Sequence, residues 1–186
     1  MNHKQIVRMA TLAILTAIVV VLQLLAVGLR ALGIFSISLV LVPIVVGAAV
    51  YGWKAGGWLG FVFGVAVLLS GDAAAFLAVD VLGTVLVVLV KGTLSGMAAG
   101  LVYKLLEKSG KLFAVIVAAI VAPVVNTGVF LLGCKVFFME AIGQWGLPTA
   151  GIAMIVGLTG VNFLVELGIN LVLSPVIHRL IKIGQK

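Results

Sequence analysis

Charge is scarce in this chain. Of its 186 residues, 9% are Asp, Glu, Lys or Arg, where soluble domains carry roughly 25%. A water-soluble fold of this size needs more polar surface than these residues supply. Cysteine occurs once, as Cys134 among Leu132, Gly133 and Val136. A single thiol excludes an internal disulfide framework, and its apolar neighbours mark it as a small packing residue. The two histidines, His3 and His178, lie near opposite ends and form no metal-like cluster. The sequence has no H-E-x-x-H, no G-x-S-x-G and no G-x-x-x-x-G-K-[ST]. No enzymatic activity and no cofactor are therefore expected. Any uphill transport must draw on ion coupling or on a partner that hydrolyses ATP.

Hydrophobic residues, by contrast, make up 64% of the chain, in long runs. These reach or exceed the ~20 residues that cross a hydrocarbon core. Lipid leaves no solvent for free backbone groups, so the spans must be helices or a closed barrel. Runs such as Ile14 to Leu22 and Val85 to Val90 do not alternate as barrel strands do. The expected fold is therefore an all-α membrane protein, a compact bundle of six transmembrane helices forming one domain over 1–186. The predicted spans are 6–29, 37–53, 55–70, 82–104, 112–138 and 151–180. The run from Met9 to Leu29 exceeds the 7–15 residues of a signal-peptide core and lacks an A-x-A-like site, so it reads as a retained first helix. Between the second and third spans, Tyr51-Gly52-Trp53-Lys54-Ala55-Gly56 predicts a tight helical hairpin.

The net charge of +7 has a direction. If the N-terminus is cytoplasmic, Lys4, Arg8, Lys54, Lys104, Lys108, Lys111, Arg179, Lys182 and Lys186 fall inside. Arg30 and Lys135 fall outside, and Lys91 lies within a span. This bias predicts that both termini are cytoplasmic. No basic stripe interleaved with aromatics is present, so nucleic acid is not an expected partner. The outer loop Gly71 to Asp80 is partly apolar and reads as a lid that dips back into the protein.

Two spans carry small residues at four-residue spacing: Gly56, Gly60 and Gly64, then Gly92, Gly96 and Gly100. Such faces let helix backbones approach closely, within the chain or toward another subunit. Polar groups deep in a span are costly and need a reason. Lys91 sits about nine residues into the fourth span, roughly 14 Å deep at 1.5 Å per residue. Asn126 lies at similar depth just after Pro123. Asn162, Glu166 and Asn170 share one face of the last span at i, i+4, i+8. Two readings fit. In one, Lys91 and Glu166 form a buried ion pair and the asparagines bond neighbouring helices. In the other, these groups line a ligand pocket between the last three spans.

Together these features resemble the substrate-binding S components of energy-coupling factor (ECF) vitamin transporters. Ala13-Ile14-Leu15-Thr16-Ala17 resembles the family's A-x-x-x-A contact motif for the transmembrane T component. Pro43, Gly47, Tyr51-Gly52 and Gly56 to Gly60 resemble the family's second-to-third helix hairpin. The acidic loop at Asp72 occupies the place of the family's third loop. The resemblance implies a multi-pass protein of a bacterial cytoplasmic membrane. It also implies capture of a vitamin from outside and docking on one T component and two ABC ATPases. Lys91, Asn126, Asn162, Glu166 and Asn170 become substrate-binding candidates, with Arg30 at the rim, and Ala13 and Ala17 become docking candidates.

A buried Lys91 with Arg30 nearby suits a carboxylate-bearing ligand, and asparagines suit amides and hydroxyls. The pattern is most similar to pantothenate-type members. Few aromatics besides Phe130 and Phe163 occur on the pocket spans, which speaks against a stacked flavin. Riboflavin, then folate, are the alternative ligands, and a stand-alone ion-coupled secondary transporter is the alternative class. If Lys91 pairs with Glu166, the case for an anionic ligand weakens.

Overall fold

A computed structural model describes residues 3–31, 39–149 and 151–184. Among the described residues all regular structure is helical. Helix α1 covers His3–Ala31, and α2 and α3 cover Leu41–Tyr51 and Trp53–Leu69. A single turn, α4, covers Ala74–Leu77. Helix α5 covers Val81–Leu106 and α6 covers Lys111–Gly133. A π-helical turn, Cys134–Phe138, leads into α7 at Met139–Gln144. Helices α8 and α9 cover Gly151–Val172 and Ser174–Gly184.

Among the described residues, three stretches are long and apolar enough to cross a bilayer: Gln5–Leu29, Val81–Leu106 and Lys111–Phe137. A fourth is the pair Leu158–Val172 and Ser174–Gly184, bent by 54°. Helices α2 and α3 are apolar but shorter, at 11 and 17 residues. At 1.5 Å per residue, α2 extends only ~16 Å, about half of a ~30 Å hydrocarbon core. The expected second span began at residue 37, and residues 32–38 lie outside the described set. The last expected span is broken as well as bent. Inside α8, Gly160 has φ 48° and ψ −142°, a conformation open to glycine and strained for other residues.

The lipid-facing surface is apolar: Leu69, Leu105 and Val172 are 82%, 76% and 77% exposed. On a water-soluble monomer such a surface would drive association. Here hydrocarbon solvates it.

Close backbone packing holds the centre. A methyl group added at Gly60 would fall on the Gly92 carbonyl oxygen, and one at Gly96 on the Gly56 carbonyl oxygen. The two glycine faces therefore meet each other, α3 against α5, inside the chain. Without a hydrophobic drive between helices in lipid, this packing supplies the attraction. The hairpin forms as expected: Gly52 alone joins α2 to α3, at φ 88°. Asp80 caps α5, its carboxylate accepting from the Gly83 N–H at 3.0 Å. Cys134 is free and fully buried beside Val87, Phe138 and Ile142.

Candidate functional site: a polar cavity under the α4 turn

Three devices bring polar side chains together. First, Pro123 interrupts the α6 hydrogen-bond ladder. Ser95 donates its hydroxyl to the Ala122 carbonyl at 2.7 Å, fully buried. Ser95 lies one turn beyond Lys91, and Ala122 one turn before Asn126. This bond therefore sets those two side chains at matching depth. Second, the break at Gly160 falls between Thr159 and Asn162, both of which face the cavity. Third, the lid folds inward. Gln23 of α1, 2% exposed, donates through Nε2 to Asp72 Oδ2 at 3.2 Å and to Ser70 Oγ at 3.4 Å.

The resulting cavity is about 240 Å³. Its wall draws on α1, α3, the lid, α5, α6, the π turn and α8. The Lys91 ammonium lies 5.0 Å from the centroid of the Phe130 ring, a cation–π distance. Asn126 is 6% exposed, and its Oδ1 has no hydrogen-bond partner among the described residues. Such an acceptor carries a desolvation penalty until a donor reaches it. Asn162 and Glu166 complete the expected set on α8. Lys91, Asn126, Asn162 and Glu166 are thus brought together on one cavity. Asn170 is not among its lining residues. It is fully buried one turn further on, and its Nδ2 donates to the Glu166 carbonyl at 2.8 Å. The expectation for Arg30 concerns a side chain outside the described set. Ala13 and Ala17 are exposed on α1, away from the cavity.

Several lining residues escaped the sequence reading. Gln23 carried a usable signal, being a lone amide deep in an apolar span. Asp72, expected on a lid, also reaches the lining. Thr84 and Thr127 face the cavity and gave no signal, since threonine can satisfy its hydroxyl within its own helix. The cavity is richer in aromatics than the sequence suggests: Phe63, Phe76, Phe130, Phe138 and Phe163 all line it. Phe76, from the lid, packs edge-on to Phe130, Phe138 and Trp145 at centroid distances of 5.5, 5.1 and 5.4 Å. Two of these five phenylalanines, Phe63 and Phe76, come from outside the last three expected spans, and Phe138 sits at the very end of the fifth. Among the described lining residues the charge pattern is also mixed, with one ammonium, Lys91, and two carboxylates, Asp72 and Glu166.

A multi-pass membrane bundle enclosing a small polar and aromatic cavity defines a membrane-embedded solute-binding protein. Residues 7–178 match the family model for the ECF transporter, substrate-specific component, and the chain belongs to that family. Searches of curated proteins and of solved structures returned no match. Membership makes the chain the substrate-binding component of a transporter.

Proposed function

We propose that this chain captures a small carboxylate vitamin, pantothenate foremost, and delivers it to a T component and two ABC ATPases. The observation that carries the reading is Lys91, an ammonium well inside α5 that shares its cavity with Gln23, Asn126 and Asn162. Lysine binds a ligand carboxylate as a point charge. Asp72 and Glu166 add acceptors to the same wall, and these suit ligand hydroxyl and amide N–H groups. Pantothenate has one carboxylate, one amide and two hydroxyls, which meets both demands. The cavity volume also favours a compact ligand, lying below the ~300–1,000 Å³ of sites for drug-sized molecules. Folate is disfavoured on that ground.

Riboflavin is the second reading, supported by the five phenylalanines. In the membrane the chain makes six passes with both termini cytoplasmic, a topology that rests on the bias of lysine and arginine. The lid then faces the outside of a bacterial cytoplasmic membrane. Ala13 and Ala17 offer a small-residue face for the T component.

Equilibrium binding to the chain purified alone tests this reading, with tritiated pantothenate, riboflavin and folate in parallel. Saturable pantothenate binding, with uptake only when the T component and ATPases are co-expressed, supports it. Riboflavin binding in its place moves the assignment to the second reading. Gradient-driven uptake by the chain alone in proteoliposomes replaces it with a secondary transporter.

A further inference from the structure

A second cavity lies on the other side of α1. It is a groove of about 430 Å³ between α1, α2 and α9. Its α1 wall is Thr11, Leu15, Ile18 and Leu22, facing Val42 and Val46 of α2 and Leu180 and Ile183 of α9. No charged side chain is among its described lining residues. From Thr11 to Leu22 the wall extends ~16 Å at 1.5 Å per residue. One leaflet of a ~30 Å hydrocarbon core is ~15 Å deep.

The groove has a basic mouth. Its end is marked by Tyr51 and Gly184, and Gly184 abuts Val50. Arg8 lies one turn before Thr11 and donates through Nη2 to the Tyr51 carbonyl at 3.4 Å. Its guanidinium lies 5.9 Å from the centroid of the Tyr51 ring. A guanidinium has five N–H donors in a fork that matches phosphate. Lys54 and Lys182 lie near the same end of the chain fold, and both are exposed. Helix α9 buries Ile177 and Ile181 while exposing Arg179 and Lys182, the amphipathic pattern of a helix at a membrane surface.

We propose that this groove holds one acyl chain of an anionic phospholipid, with the phosphate against Arg8. Length, apolar lining and a cationic mouth together match one leaflet of such a lipid. A partner helix would satisfy the apolar wall, whereas a phosphate also engages the Arg8 N–H groups that the Tyr51 carbonyl leaves open. At 100° per residue, the groove face of α1 and the Ala13/Ala17 face point to nearly opposite sides. The lipid and the T component therefore do not compete for α1.

The full chain is reconstituted in vesicles of phosphatidylcholine doped with a photoactivatable phosphatidylglycerol. Labelled peptides are then mapped by mass spectrometry. The expected labels fall on the α2 and α9 walls, are competed by phosphatidylglycerol about fivefold better than by phosphatidylcholine, and lose that preference in Arg8→Gln. Ile18→Trp and Ile183→Trp fill the groove from positions 40% and 69% exposed. Both should fold, bind the vitamin normally and lose the groove label. Equal competition by the two lipids overturns the headgroup assignment. Label spread over all lipid-facing helices, or unchanged in both tryptophan variants, overturns the acyl-chain site. Cross-links between two copies through these walls assign the groove to a second chain instead.

Discussion

Gln23 on α1 reaches Asp72 on the lid across 3.2 Å, joining two elements that are 49 residues apart. A hydrogen bond to a charged group contributes ~1.5–3 kcal/mol when shielded. Gln23→Leu removes the donor while keeping the volume. Its expected effect is ligand affinity weakened about tenfold, chiefly through faster dissociation. Stopped-flow dissociation of bound vitamin measures this. An unchanged off-rate means that the bond does not hold the lid.

Lys91→Ala removes the ammonium from the cavity wall, and binding of a carboxylate ligand should weaken at least ~tenfold. The same substitution should leave the affinity for an uncharged amide analogue of the vitamin within about threefold. Calorimetric titration with both compounds separates a charge effect from a packing effect. Normal binding of the carboxylate form by this variant would remove the anionic-ligand reading.

Asn126 presents a buried acceptor with no partner among the described residues. Asn126→Leu should therefore leave stability unchanged or raise it by ~1 kcal/mol, while ligand affinity falls. Thermal unfolding in detergent, with and without vitamin, reads both effects. Lower stability without ligand would show that Asn126 serves the helix contacts rather than the cavity.

Gly60 leaves no room for a side chain, since even a methyl group would meet the backbone of Gly92. Gly60→Leu should cost about 3 kcal/mol or more and reduce the yield of folded protein. A control is Gly128→Leu, where nothing lies within 4 Å of an added methyl. If both variants fold equally well, the α3–α5 contact is not what holds the bundle.

Ala13→Trp tests the proposed docking face. Both alanines are exposed, so the folded chain should accept the indole and keep its vitamin affinity. Uptake by cells that supply the T component and ATPases should be abolished. Normal uptake would place docking elsewhere.

Much of this was legible in the residues themselves. The hairpin at Gly52 followed from glycine between two apolar runs, and the glycine faces of α3 and α5 were visible in their four-residue spacing, but that they meet each other was not. Lys91, Asn126, Asn162 and Glu166 stood out because polar groups are conspicuous in lipid-solvated helices. Asn170 shares a helix face with Asn162 and Glu166, yet its amide donates to the Glu166 carbonyl. Side-chain direction relative to a neighbouring helix is a long-range fact that helical spacing does not carry. Phe76 was invisible for a similar reason. A phenylalanine in a loop has no periodicity, and only the inward fold of the lid sets it against Phe130 and Phe138.

Composition by itself placed this chain in lipid, because 9% charge cannot clothe a soluble surface, and apolar runs without alternation made its spans helices rather than barrel strands. Tertiary structure alone decided which polar groups share a cavity, that α1 and the lid contribute to it, and that α8 breaks at Gly160. Local sequence governs whether a segment is helical. Convergence of side chains from seven elements depends on how those helices cross, and that is set by packing between residues far apart in the chain.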